Sequence, residues 1–395
     1  MSAIRTVKDK YLFAAVSFIF WFSQFIYVPI LSPYMEGLGG KYAFIGLVLS
    51  SYGLMQLLCR LPLGIFSDFV QMRKPFVIFG MIASMSSCLL FSLTDSLIGV
   101  FISRCLAGLA AATWVAFTIL YSSYFEREKT TRAMNIISFI VVLAQLLGMS
   151  LSGYIVSEWG WHAPFWIGTI LSVIGAVLSL FIYEPKENVK RSPIKLKELM
   201  SVIKEPSLLK ISLLSILAHS LIFTTMFGFT PVYALSAGFK ESELSLIVFS
   251  FMIPHAAAPL IMEKLFVWRF GKWSILKAAF FLAAFFTCMI PMTENKLLLC
   301  IIQSVNGFSL GLVFPLMLGM SIEKIGAEKR ATAMGGYQAL YALGIFGGPF
   351  AAGILNSWMG LKAGFFFAAA LGLTATVFAA AWDNKEASYK VFKAK

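Results

Sequence analysis

Carboxylates are missing from the middle of every long apolar stretch of this sequence. Of its 19 Asp and Glu residues, the ones nearest such stretches stand at their ends: Asp68, Glu263 and Glu323 at one set, Glu36 and Asp95 at the other. A pump for lipophilic cations, which relies on a buried acid, is disfavoured by that absence. The chain also lacks a GxSxG elbow, an HExxH helix and a Walker phosphate loop, so no catalytic constellation is present and the chain is not an enzyme. With no nucleotide-binding domain, ATP-driven transport would need a separate subunit. Cysteine is scarce: Cys59, Cys88, Cys105, Cys288 and Cys300 show no CxxC or Cys/His ligand spacing, which excludes a disulfide framework and a metal site. No cofactor is implied. Polar sequence long enough to fold by itself is absent, so the net charge of +13 has no soluble basic face on which to bind nucleic acid.

What is present is apolar sequence. Hydrophobic residues make up 59% of the chain and charged residues 13%, with a mean hydropathy of +0.83. Crossing a hydrocarbon core of about 30 Å takes about 20 helical residues. Twelve stretches meet that length: 11–34, 43–66, 75–94, 97–122, 132–156, 163–183, 209–234, 243–266, 273–292, 297–321, 331–356 and 362–382. The first is too long for a removable signal peptide and has no small-residue cleavage site, so it stays as span 1. The class is an all-α polytopic membrane protein. Lys and Arg are retained on the cytoplasmic side. With the N-terminus inside, only Lys41, Lys240, Lys296 and Lys362 fall outside, only Arg60 and Arg104 lie deep within spans, and the other 26 of the 32 basic residues are in cytoplasmic segments or at the cytoplasmic ends of spans. Both termini are therefore expected in the cytoplasm, the chain being a multi-pass protein of a bacterial inner membrane.

The second half repeats the first about two hundred residues later. Glu128-Lys129 and Ala133-Met134 recur as Glu328-Lys329 and Ala333-Met334, and the spacing Ala144, Gly148, Gly153 recurs as Gly344, Gly348, Gly353. Small residues four or five apart let membrane helices approach backbone to backbone, so spans 5 and 11 are expected to form tight seams between the halves. The arrangement is two pseudo-symmetric six-helix bundles, 1–183 and 209–395. They are joined by a cytoplasmic segment, 184–208, whose Ile194, Leu196, Leu199, Met200 and Ile203 repeat like one face of a surface helix. Duplicated bundles around a cleft are how membranes build transporters.

After span 2 the chain reads Gly64, Asp68, Phe69, Gln71, Arg73, Lys74, and after span 8 it reads Glu263, Arg269, Gly271, Lys272. With twelve spans, a six-plus-six duplication and a basic central loop, this resembles the major facilitator superfamily over essentially the whole chain. The resemblance implies that Gly64 permits close packing and that Asp68 with Arg73 and Lys74 forms a charge latch on the cytoplasmic side, echoed by Glu263 and Arg269. Phe69 and Gln71 stand where Arg and Gly are usual, which weakens the latch. Arg104 followed by Gly108 is similar to the family's buried arginine motif in helix 4. Gly344, Gly348, Pro349 and Gly353 in span 11 are close to the glycine-proline motif that drug exporters carry in helix 5, whereas span 5 keeps Gly148 and Gly153 with Met149 in place of the proline. By resemblance the carrier works as a monomer and exchanges solute against protons.

The polar residues inside the spans outline a substrate site. Gln24 and Tyr27, Gln56 and Arg60, Ser215 and His219, Gln303 and Asn306, and Gln338 and Tyr341 are each three or four apart, so each pair shares a helix face. An arginine at a span centre costs about 2.5 to 3.5 kcal/mol on insertion scales, so Arg60 and Arg104 face protein or a water-filled cavity. Arg60 has two readings, solute contact or snorkelling to the gate, and Arg104 has two, solute contact or structure. His219 and His255 are the candidate proton sites, with Glu36 as a fallback at the external mouth. The expected function is proton-coupled export of a small organic anion or zwitterion, such as a drug, a metabolite or a metal-chelating compound. Import of an organic anion and export of lipophilic cations stand as alternatives.

Overall fold

In the computed structural model of the chain, the residues described are 7–126, 129–185, 201–202, 204–326 and 329–394. The central surface helix expected around Ile194 and Leu199, and the duplicated Glu128 and Glu328, lie outside them. Among the described residues twelve helices are long and apolar enough to cross a membrane, and no strand occurs. They are α1 (Lys8–Gly37), α2 (Tyr42–Ser67), α3 (Lys74–Leu93), α4 (Leu97–Ser122), α5 (Arg132–Trp159), α6 (Ala163–Leu180), α7 (Pro206–Ser236), α8 (Glu241–Ile261), α9 (Lys272–Met292), α10 (Lys296–Glu323), α11 (Thr332–Met359) and α12 (Lys362–Asp383). Helix is the required answer here, since in lipid each N–H and C=O must be satisfied within its own segment.

Local sequence sets where these helices start and stop. Ser96 and Asn295 cap α4 and α10, accepting at 3.0 Å from the backbone N–H groups of Gly99 and Leu298. Proline occupies the first turn of α3, α6 and α7, where its missing N–H costs nothing. Gly160 and Gly360, with φ of 83° and 85°, end α5 and α11. Three spans are interrupted. The helix of α1 breaks between Phe25 and Val28, α4 breaks at Thr113, and α7 passes through a π-helical turn, Thr225–Phe229, just before Pro231. A proline's ring displaces the carbonyl four residues back, and the wider turn accommodates it.

Contacts divide the chain into two compact units. The first takes α1, α2 from Ser51 onward, α3 to α6 and the segment Glu241–Ser245; the second takes Lys41–Ser50, α7, α8 from Leu246 onward and α9 to α12. Glycines make the tightest helix contacts inside each unit. In the first, Gly148 sits against the Phe22 carbonyl and Ile26 of α1, and Gly153 against the Glu241 carbonyl. In the second, Gly344 and Gly348 sit against Ile216 and Ser220 of α7, while Gly353 and the Pro349 carbonyl meet Gly46. The expectation that these glycines join the two halves is corrected for Gly148, Gly344 and Gly348, whose partners lie in their own half of the sequence, whereas Gly153 meets Glu241 of the second half and Gly353 meets Gly46 of the first. The reason is that short sequence spacing marks a flat helix face but does not say which helix lies on it.

The duplication extends to atomic detail. Tyr34 donates its hydroxyl hydrogen to the Thr94 carbonyl at 2.9 Å, and Tyr233 does the same to the Thr293 carbonyl at 3.0 Å. The turn before α3 has Gln71 at φ 55°, and the equivalent turn before α9 has Gly271 at φ 77°. Both halves thus need a left-handed residue at this point, and only the second has the residue that adopts it without strain. Substituting Gln71→Gly should stabilise the protein by about 0.5 to 1 kcal/mol and raise its thermal midpoint, while Gly271→Ala should lower stability by about 1 kcal/mol. No atom lies within 4 Å of a methyl placed on Gly271, so the second change tests backbone conformation alone. Equal midpoints for all three proteins would contradict the assignment.

Candidate functional site

In the first unit, α2 presents Tyr52, Gln56 and Arg60 one turn apart on a single face. Arg60 is 4% exposed, and its Nη2 donates to Gln56 Oε1 at 2.5 Å. Gln56 Nε2 in turn donates to the Tyr52 carbonyl at 3.4 Å. Arg104 reaches this stripe from α4 because Gly108 lets the helices close: a methyl on Gly108 would stand 2.6 Å from the Tyr52 carbonyl oxygen. The Arg104 guanidinium carbon lies 4.2 Å from the ring centroid of Tyr52 and 5.9 Å from that of Tyr27. The side chain is 2% exposed, and its Nε has no hydrogen-bond partner. Among the described residues no carboxylate pairs with it.

The break in α1 places Tyr27. Its ring packs on Phe91 and Phe165 at 4.9 and 5.6 Å, and its hydroxyl donates to Gln24 Oε1 at 3.5 Å. Gln24 Nε2 is buried without a partner. Close by along the helix, Trp21 meets Trp114 edge-on at 5.0 Å, and its indole N–H also lacks a partner. The first unit therefore gathers Gln24, Tyr27, Gln56, Arg60 and Arg104, with Tyr52 as the residue the sequence reading missed. Tyr52 was legible in principle, being four residues before Gln56 on the same face.

In the second unit the centre is aromatic and titratable instead of cationic. The rings of His219 and Tyr341 stack with centroids 4.1 Å apart and planes 3° from parallel, and Phe314 meets His219 edge-on at 4.7 Å. The His219 Nδ1–H donates to the Ser215 carbonyl at 2.8 Å, and Ser215 Oγ lies 2.8 Å from Tyr337 Oη and 3.2 Å from that nitrogen. Tyr337, Ser215 and His219 thus form a string of protic groups. His255 lies on the far side of Phe314, 6.0 Å from its centroid, and its Nδ1–H donates to the Gly307 carbonyl at 3.2 Å. Gln338 is half-buried one turn before Tyr341. Asn306 does not join this cluster: its Nδ2 donates to Thr287 Oγ1 of α9 at 3.4 Å. Gln303 is buried, and its Nε2 has no partner. Glu36 is exposed at the end of α1.

This arrangement has named relatives. The family model described as Major Facilitator Superfamily matches residues 13–293 and again 236–395. The chain belongs to the major facilitator superfamily. The inner membrane transport protein YajR of Escherichia coli is 26% identical over 374 residues, covering 91% of this chain and 78% of that protein. A probable sugar efflux transporter of Haemophilus influenzae is 22% identical over 370 residues, covering 91% and 90%. Among solved structures, the nucleoside transporter NupG superposes with a TM-score of 0.76 at 17% identity over 95% of this chain and 99% of that one. The human organic anion transporter MFSD10 does so with a TM-score of 0.70 at 16% identity over 95% and 100%. The structural matches establish the fold, and the family makes this multi-pass chain a transporter of small solutes and not an enzyme.

The superfamily's loop after helix 2 is built differently here from what its motif implies. Nothing lies within 4 Å of where a side chain on Gly64 would start, so Gly64 provides no close packing. The side chains of Asp68 and Glu263 lie outside what is described. The acid that engages the basic loop is Glu184, just past α6. Its carboxylate accepts from the backbone N–H groups of Arg73 and, at 3.0 Å, Lys74, while Lys74 Nζ donates to the Leu180 carbonyl at 2.7 Å. A carboxylate on the first N–H groups of a helix is favoured both by hydrogen bonding and by the helix dipole. In the second half Lys272 pairs with Glu323 at 2.7 Å and Lys277 with Asp383 at 2.6 Å, whereas Arg269 is exposed over the ring of Phe270.

A further cluster escaped the sequence reading because it lies in turns. His162 Nδ1–H donates to the Ser92 carbonyl at 3.0 Å, and Nε2 faces Asp95 Oδ1 at 3.0 Å and Tyr34 Oη at 3.4 Å. It fastens the turn before α6 to the turn before α4. At the opposite end of the unit, Glu184→Ala leaves two helix N–H groups without their acceptor and should destabilise the transporter by about 1 to 3 kcal/mol, with Glu184→Gln retaining part of that. Thermal unfolding in detergent checks the order wild type, Gln, Ala; an Ala variant as stable as wild type would remove Glu184 from this role.

Proposed function

We propose that this transporter exports a small organic anion or zwitterion from the cytoplasm in exchange for protons, Arg104 receiving the anionic group and His219 carrying the proton. The observation that carries the reading is the Arg104 guanidinium, 2% exposed, laid on Tyr52 and Tyr27 with its Nε unpartnered and, among the described residues, no carboxylate paired with it. A buried cation without a counter-ion is electrostatically incomplete, and in a medium of low dielectric an anion satisfies it far more strongly than in water. Arg60, fixed by Gln56, extends the positive stripe toward the basic end of the helices. A lipophilic cation would meet only repulsion along this face. The basic loops support a cytoplasmic assignment for that end and for both termini.

Proton coupling rests on the second unit. His219 is half-buried and hydrogen-bonded through Ser215 to Tyr337, so a proton arriving at the ring has protic neighbours through which to move. His255, held by a backbone carbonyl among aromatic rings, is the reserve site. Efflux as the direction is supported by the Haemophilus influenzae relative, a probable sugar efflux transporter. That relative also favours a second reading, an uncharged polyhydroxylated solute held by the buried amide of Gln24, whose Nε2 has no partner.

Uptake into everted membrane vesicles under an imposed pH gradient tests both. For an anionic solute, Arg104→Gln should weaken apparent affinity about ten- to hundred-fold, the equivalent of one charge-assisted hydrogen bond of about 1.5 to 3 kcal/mol, with unchanged folded yield. His219→Ala should abolish accumulation driven by the gradient while leaving solute counterflow. Normal anion transport by the Arg104 variant would overturn the reading, and transport of a neutral sugar that is lost in Gln24→Ala alone would establish the second.

A further inference from the structure

Where α1 begins, α4 ends and α5 begins, the first unit has a half-open cleft of about 650 Å³ that includes none of the residues assigned to the solute. Its lining combines three cations, Lys10, Lys129 and Arg132, with aromatic and aliphatic surface. Arg132, Ile136 and Ile140 follow one another at four-residue steps, so α5 presents a cation and then two branched apolar side chains on one face. At 1.5 Å per residue that face runs about 12 Å from charge to Ile140. Lys10 Nζ stands 4.2 Å from the ring centroid of Phe125, which fixes a second charge at the same end. Among the described residues Lys129 pairs with Glu126, at 2.7 Å, and both are exposed. Such a pair contributes little, so its lysine is readily exchanged to a better acceptor. Hydrogen bonding to Lys129, with Lys10 adding to it, holds the Glu126 carboxyl below the usual carboxylate range.

A volume in the range of ligand pockets, cations at one end and apolar walls behind them describe a receptor for a molecule of matching polarity. We propose that this cleft binds the anionic head of an amphiphile, a phosphate or carboxylate held by Lys10, Lys129 and Arg132 with its apolar body along Ile136 and Ile140. Two sources supply such chemistry on the basic side of the membrane: an anionic phospholipid of the facing leaflet, or a soluble amphiphilic anion. The inference is independent of the assignment of Arg104, and its test reads local chemistry and not transport.

The test uses the full chain in nanodiscs and measures acetylation rates of Lys10 and Lys129 by peptide mass spectrometry. Lys324, exposed on the second unit, serves as reference. An amine that holds an anion stays protonated and shielded, so it acylates slowly. One arm replaces a third of the phosphatidylcholine with phosphatidylglycerol; another adds octyl phosphate to pure phosphatidylcholine discs, with inorganic phosphate as the control lacking an apolar body. Rates at Lys10 and Lys129 should fall about five-fold relative to Lys324 in at least one arm, the slowing of an amine held protonated by a bound anion for about four-fifths of the time. Protection by phosphatidylglycerol alone identifies the lipid as the source, and protection by octyl phosphate identifies a soluble anion. Arg132→Gln and Ile136→Gln, each checked for an unchanged thermal midpoint, should both lose the protection. Three results would overturn the proposal: no protection in either arm, equal slowing at Lys324, or equal protection by inorganic phosphate.

Discussion

A guanidinium removed from water and given aromatic faces in place of a carboxylate is the constraint on which the first unit depends. Placing arginine at the middle of a span costs about 2.5 to 3.5 kcal/mol. A desolvated cation–π contact returns about 2 kcal/mol, so Tyr52 at 4.2 Å offsets most of the cost and leaves Arg104 with capacity for one more strong partner. The backbone arrangement follows from that need. Gly108 is required for α4 to bring the arginine onto Tyr52, and the break in α1 is required to turn Tyr27 inward beneath Phe91 and Phe165. Among the described residues no carboxylate pairs with the guanidinium and its Nε has no partner, which is the feature on which the proposed solute assignment rests.

Duplication supplies an internal comparison of what the scaffold demands and what function has altered. The Gly108 contact on Tyr52 has its counterpart in Gly307 against the Phe251 carbonyl, and the tyrosine bonds to Thr94 and Thr293 match. These belong to the scaffold. At the place of Arg104 the second half carries Gln303, and at the place of Phe20 it carries His219, stacked on Tyr341. The two halves share a frame and differ in chemistry: one holds a fixed charge, the other a group that can gain and lose one. Gln71, strained where Gly271 is not, shows that the frame has been kept even where one half has lost the residue best suited to it.

Much of this was legible from composition and spacing. The twelve spans follow from apolar length, and they agree with the structure to within a few residues because a continuous apolar run of about 20 residues satisfies its own backbone in lipid as a helix. Arg104 announces itself by its cost, and Ser215, His219 and Tyr341 by polarity in apolar surroundings. What could not be read is which neighbour each face meets. Gly148 and Gly344 pack inside their own units, Asn306 turns to Thr287, and Gly64 packs against nothing, although all four have the spacing or motif of contact residues. Glu184 and His162 lie in turns beyond the periodic segments, where pairing is set by tertiary approach and leaves no pattern in the chain.

The central claim is that a positive, incompletely satisfied site selects the solute by charge. The most direct measurement is thermal stabilisation of the purified transporter by compounds of matched size carrying negative, zwitterionic, zero or positive charge, because a ligand that binds the folded state stabilises it increasingly as its concentration exceeds its Kd. The account predicts that midpoints rise with anions and zwitterions and stay unchanged with lipophilic cations. Stabilisation by cations, with none by anions, would contradict it and return Arg104 to a structural role.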